Sequence, residues 1–268
     1  MGPLRILFAC AEMEPYLPAS EIATTMRILS QGVQDKGYEI RTFLPRHGCV
    51  NERRNQLHEV IRLSGMNLII NEADHPLIIK VASLPSTRMQ VYFIDNEDYF
   101  QGKPSLYGPE EAPFKDNDER TIFFARGVLE TVKKLRWSPH VVHCHGWFSA
   151  LLPIFLKKVY KDDPLLTKTK IVISLYDEEF EQPLDIKLKK KIIIGGIKNK
   201  DVELLSEPTY ENLMKLAINH ADGVILGNPN TNKQLEKYTR SLKKPILTYK
   251  EKDYVDTYNS FYAKILSK

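Results

Sequence analysis

Pro139-His140-Val141-Val142-His143-Cys144-His145-Gly146-Trp147-Phe148-Ser149-Ala150-Leu151-Leu152-Pro153 is the stretch whose reading decides the fold. An apolar pair leads into two histidines, and a tryptophan and a run of small and apolar residues follow at once. In an α/β protein, a buried strand that ends in polar residues and turns into a helix delivers those residues to the carboxyl edge of the sheet, where ligands bind. The spacing of His143 and His145 is read as placing them on opposite faces or astride the strand end. A metal site would need a third ligand, and none is evident. Both histidines are therefore expected to be structural, with a ring nitrogen satisfied by backbone and Trp147 packed on the loop.

Working outward, short apolar runs alternate with helical patterns, the signature of a parallel sheet covered by helices on both faces. Leu4 to Ala11, Tyr38 to Pro45, Leu57 to Leu63, Asn67 to Asn71, Pro76 to Ser83 and Met89 to Ile94 read as strands. Val141 to His145, Lys170 to Leu175 and Gly223 to Leu226 continue the series. Turns are expected at Ser64-Gly65 and Pro85-Ser86. The spacing predicts helices over Ile22 to Lys36, Asp118 to Leu135, Trp147 to Tyr160, Tyr210 to Ala221 and Tyr254 to Leu266. Asp95 to Asp116, rich in Asn, Asp, Gly, Pro and aromatics, reads as a long loop near a functional edge.

With 268 residues, the chain has room for one large α/β domain, or one domain with a subdomain. Its net charge of +4 reflects unpatterned surface lysine rather than a nucleic-acid groove. Cys10, Cys49 and Cys144 lack metal-ligand spacing and are read as free thiols in a reducing compartment. The apolar run from Ile6 to Ala11 is too short for a signal sequence. No segment approaches the ~18 apolar residues of a membrane span. The expectation is a cytoplasmic protein without nucleic acid, membrane, metal or cofactor.

The central stretch resembles the Pro-Asp-hydrophobic-hydrophobic-His-x-His-Asp-Trp-His signature of bacterial glycogen synthases and plant starch synthases. Other blocks carry the resemblance in the same order. They are Ile6 to Pro15, Gly37 to Gly48, Tyr92 to Asn96 with Tyr99-Phe100 and Leu106-Tyr107-Gly108, Asp116 to Arg120, and Asn212 to Asp222. The resemblance implies the amino-terminal, Rossmann-like half of a GT-B glycosyltransferase, which in the family moves glucose from ADP-glucose to an α-1,4-glucan. It implies a domain over residues 1–253 and a terminal helix over 254–268 packing back on it, with the second GT-B domain absent. Tyr258 and Tyr262 resemble the pair on the family's crossing helix, although any amphipathic helix can carry two tyrosines.

The chain departs from the family where chemistry is expected. Gly146 and Phe148 stand where the signature has Asp and His. Pro18-Ala19-Ser20-Glu21 replaces the Lys-Thr-Gly-Gly loop whose amides and lysine meet the nucleotide phosphates. Ser20 can still cap a helix and Glu21 suits its dipole. Leu175-Tyr176-Asp177 replaces Ile-His-Asn, and Asp177, Glu178, Glu179 and Glu181 read as a solvated acidic loop or as a site for sugar hydroxyls. The lysines 187, 189, 190, 191, 198 and 200 read as a solvated charge run around one buried element, the alternative being an anionic-ligand patch. Asp116 and Arg120 are placed as a helix-start ion pair, or as part of a polar cluster with Asn117.

The candidate binding residues are Glu12, Tyr99, Tyr107, Asp116, Asn117, Arg120, His143, His145, Trp147, Tyr176 and Asp177. No catalytic residue is assigned. The implied ligand is a sugar nucleotide or an α-glucan, with a protein partner or a second copy of the chain left open. The reading is a synthase-like glycosyltransferase domain, impaired or inactive by itself. The alternative is a non-catalytic sugar- or nucleotide-binding or regulatory module.

Overall fold

The computed structural model describes residues 2–84, 87, 89–108 and 113–267. The turn expected at Pro85-Ser86 lies outside them. Among the described residues, ten strands form the sheet: β1 Arg5–Ala9, β2 Glu39–Pro45, β3 His58–Glu59, β4 Met66–Ile70, β5 Ala73–Ser83, β6 Gln90–Asp95, β7 Val141–His145, β8 Lys170–Leu175, β9 Gly223–Leu226 and β10 Ile246–Leu247. Their order is β10-β9-β8-β7-β1-β2-β6-β5-β3, with β4 on β5. From β10 to β6 every pairing is parallel. At the β6 edge the sheet turns antiparallel through β5, β3 and β4, so it is mixed rather than purely parallel.

Among the described residues, seven α-helical segments accompany the sheet: α1 Glu21–Asp35, α2 Asn117–Lys134, α3 Leu152–Ile154, α4 Leu188–Lys191, α5 Tyr210–His220, α6 Lys233–Ser241 and α7 Tyr254–Leu266. The helix α1 opens as its sequence demands, the Ser20 hydroxyl accepting the Ala23 N–H at 3.0 Å. Its buried stripe of Ile22, Met26, Leu29 and Val33 lies with α7 on one face of the sheet. The helices α2, α3 and α5 cover the other face.

Several expectations are corrected. Strand pairing in the stretch from Leu57 to Leu63 is confined to His58 and Glu59. Val60 donates once more to Ile79, then Leu63 and Ser64 fold back onto the Val60 carbonyl, leaving Ile61 83% exposed. The helix expected from Trp147 to Tyr160 is broken into a 3-10 turn at Trp147–Ser149, the short α3, and a π turn at Phe155–Val159. Pro153 has no N–H to continue a regular ladder. The helix α6 and strand β10 were not foreseen.

Candidate active-site cleft

The sheet order reverses between β1 and β7. The chain leaves β1 toward β2 on one side and later enters β7 on the other, with Ala9 opposite Cys144. Loops leaving the carboxyl ends of such strands splay apart and open a crevice. The crevice is present as a cleft of about 150 Å³ lined by Glu12, Ser20, Glu21, Ile22, Leu106, Tyr107, Trp147, Tyr176, Asp177 and Glu178. A second hollow of about 480 Å³ shares Ser20 and Glu21 and extends along α1 toward Tyr249, Tyr254 and Tyr258.

Five of the expected residues, Glu12, Tyr107, Trp147, Tyr176 and Asp177, meet in the smaller cleft. Glu12 accepts a hydrogen bond from the Ser20 hydroxyl at 2.5 Å, fixing the loop between β1 and α1. Trp147 is buried edge-on against Phe148 and Phe180. Tyr176 is buried, and its hydroxyl lies 2.8 Å from His145 Nδ1.

His143 and His145 share one face of β7, their ring centroids 3.8 Å apart. This corrects the expectation of opposite faces, because alternate strand residues point the same way. Their partners are side-chain hydroxyls rather than backbone. His143 spans from Tyr262 of α7 to Ser174 of β8, at 2.7 Å each. Burial holds His143 well below the ordinary histidine range and His145 at about 3, so both rings are neutral. Burial pushes the Cys10 and Cys144 thiols up, as befits small core hydrophobes.

Six expected residues lie outside the cleft lining: His143 and His145, and four more. Arg120 is buried and donates to the Asn117 side chain at 2.6 Å and the Ser105 carbonyl at 2.9 Å. Its guanidinium packs among Phe100, Phe114 and Phe148, and burial lowers it to about 10. Asn117 in turn donates to the Leu106 carbonyl at 2.9 Å, so the pair holds the loop that presents Tyr107. Asp116 pairs with Lys103 at 2.7 Å, which replaces the expected ion pair with Arg120. Tyr99 donates to Glu119 at 2.9 Å and meets His75 at 3.0 Å on the far side of α2.

Two charged residues do more than their surroundings in sequence suggest. Lys191 is not solvated: its ammonium lies 2.5 Å from buried Asp118 and 2.8 Å from Glu119, tying α4 to the start of α2. Glu178 is not a free acidic-loop residue either. Its carboxylate accepts the Trp147 N–H at 2.7 Å, and burial raises it to about 8, with Glu12 and Glu21 adding to the rise. The only signal for it was Gly146, a missing side chain beside a surplus of carboxylates. Among the described residues, no group of three or more His, Cys, Asp or Glu is arranged to hold a metal ion.

The family model for the starch synthase catalytic domain matches residues 5–244. The chain belongs to that family. It is 33% identical over 219 residues to glycogen synthase of Chlorobium limicola, covering 81% of this chain and 44% of that enzyme. It is 31% identical over 228 residues to glycogen synthase of Chlorobium phaeovibrioides, covering 84% and 46%. The chain thus spans about half the length of the curated relatives it matches. Among solved structures, the catalytic domain of starch synthase IV from Arabidopsis thaliana, bound to ADP and acarbose, superposes with a TM-score of 0.72. That match covers 93% of this chain and 51% of the plant domain at 18% identity, and the shared fold is similar to that of a GT-B glycosyltransferase. No helix is long and apolar enough to cross a membrane among the described residues.

Proposed function

We propose that this chain is the acceptor-side domain of a glycogen- or starch-synthase-like glucosyltransferase. It binds an α-1,4-glucan in the cleft between the β1 and β7 loops, and by itself it does not transfer glucose from ADP-glucose. The observation that carries this reading is the rim of Glu12, Glu21 and Glu178 around the cleft, with Pro18 and Ser20 in the loop that opens α1. A departing nucleotide diphosphate needs preorganised donors and positive charge. The cleft lining contains neither lysine nor arginine. Carboxylates and the Tyr107 hydroxyl suit sugar hydroxyls instead, and the aromatic face of Tyr107 suits the apolar face of a pyranose.

Two measurements on the 268-residue chain test this reading. Transfer of radiolabelled glucose from ADP-glucose to glycogen should not exceed a boiled control. Maltoheptaose should bind in calorimetry, and Tyr107→Ala should weaken that binding at least fivefold. Transfer above the control would overturn the first half. Binding that is absent, or indifferent to Tyr107, would overturn the second.

A further inference from the structure

Gly146 and Glu178 occupy one space. At φ 72° and ψ 176°, Gly146 sits in a region open essentially to glycine alone. A Cβ placed there would lie 2.6 and 2.7 Å from the two carboxylate oxygens of Glu178. The glycine therefore leaves the room that the Glu178 carboxylate fills. That conformation also aims the Trp147 N–H at the carboxylate, which it meets at 2.7 Å.

We propose that Glu178, seated in the room left by Gly146, makes the cleft take an uncharged polyhydroxy ligand, while Glu12, Glu21 and Asp177 beside it turn away phosphate. This rests on the reading of the cleft as a glucan site and names its selectivity. The groups facing Glu178 are Glu12 from the loop after β1, Glu21 from α1, and Tyr107 and Tyr176 across the cleft. Tyr210 of α5 feels it from below, and Asp177 and Glu179 flank it in sequence. None of these groups is a cation. Because burial and the neighbouring carboxylates raise Glu178 to about 8, it carries a proton at neutral pH. A protonated carboxyl both donates to and accepts from sugar hydroxyls. A diphosphate placed there would face Glu12, Glu21 and Asp177 with no positive charge to meet it.

The test is calorimetry on the full chain with maltoheptaose and ADP as separate probes, at pH 6.5 and pH 9. The proteins are wild type, Glu178→Gln and Glu21→Gln/Glu178→Gln. Glutamine keeps an acceptor for the Trp147 N–H and a donor for the ligand, so the fold is preserved. Wild type should hold maltoheptaose about fivefold or more tighter at pH 6.5 than at pH 9, while Glu178→Gln shows less than a twofold difference. ADP should bind the double variant about tenfold or more tighter than wild type. Equal ADP affinity in wild type and double variant overturns the proposal, as does a wild-type pH profile matching that of Glu178→Gln. Maltoheptaose that binds no protein at either pH overturns the glucan reading, while the gain in ADP affinity still supports the exclusion of phosphate.

Discussion

At residue 146 a backbone angle and a distant carboxylate depend on each other. Replacing Gly146 by alanine forces a side chain into a conformation that costs about 1–3 kcal/mol, and it also drives a methyl group against Glu178. Gly146→Ala should lower unfolding free energy in urea by at least that amount. The double variant Gly146→Ala/Glu178→Ala should recover the steric part but not the backbone part, a coupling that a double-mutant cycle measures. Purely additive losses would show that the two residues do not share one space. The single departure Asp-to-Gly was legible in the sequence. Its counterpart thirty-two positions later was not, because the two meet only through the pairing of β7 with β8.

Among the elements, α7 is attached at two glycines. Gly223 on β9 has Phe261 and Ile265 against the position a Cβ would take, and Gly32 on α1 has Val255 there. Tyr258, Phe261, Tyr262 and Ile265 are buried, each contributing roughly 1.5–3 kcal/mol of burial. Truncation after Lys252 should therefore give insoluble protein or a melting temperature lowered by more than ten degrees. A truncated chain melting with the intact one would mean that the helix detaches freely in solution. The junction of α2 and α4 depends on Lys191 in a comparable way. Lys191→Met removes the cation from Asp118 and Glu119 and should cost about 3–5 kcal/mol, whereas Lys189→Met, on a surface pair with Glu203, should change stability by less than about 1 kcal/mol. Equal effects in urea titrations would restore the view of this stretch as a uniform solvated run.

Over the whole molecule, buried titratable groups shape a stability profile with a single optimum. His47 and His145 are held at about 3, and His143 is also well below its ordinary value, all chiefly by burial. A histidine depressed in the folded state contributes stability that is present above about pH 6.5 and is lost as pH falls toward its folded value. Glu178 acts with the opposite sign. Raised to about 8 on folding, its contribution is complete below about pH 4.5 and is lost as pH rises through 8. Three histidines outweigh one glutamate on the acid side, so stability should peak near pH 6.5 and fall on both sides. By pH 4.5 His47 and His145 should each cost about 2–3 kcal/mol. In urea titrations, His145→Phe should flatten the acid limb and Glu178→Gln the limb between pH 6.5 and 8. Limbs that neither variant alters would assign the pH dependence to other groups.

What the sequence determined by itself was the alternation of strands and helices, the cap at Ser20, the buried stripes of α1, α2 and α7, and the family. Each of these is encoded within a few residues by hydrophobic period or by a local motif. The tertiary structure alone decided that His143 and His145 rest on hydroxyls of Tyr262, Ser174 and Tyr176. It also decided that Arg120 braces the Tyr107 loop instead of pairing with Asp116, that Lys191 pairs with Asp118, and that Glu178 fills the space beside Gly146. These are contacts between residues far apart in the chain. A side chain's charge, protonation and reach depend on what the fold packs against it, and no local spacing records that neighbour.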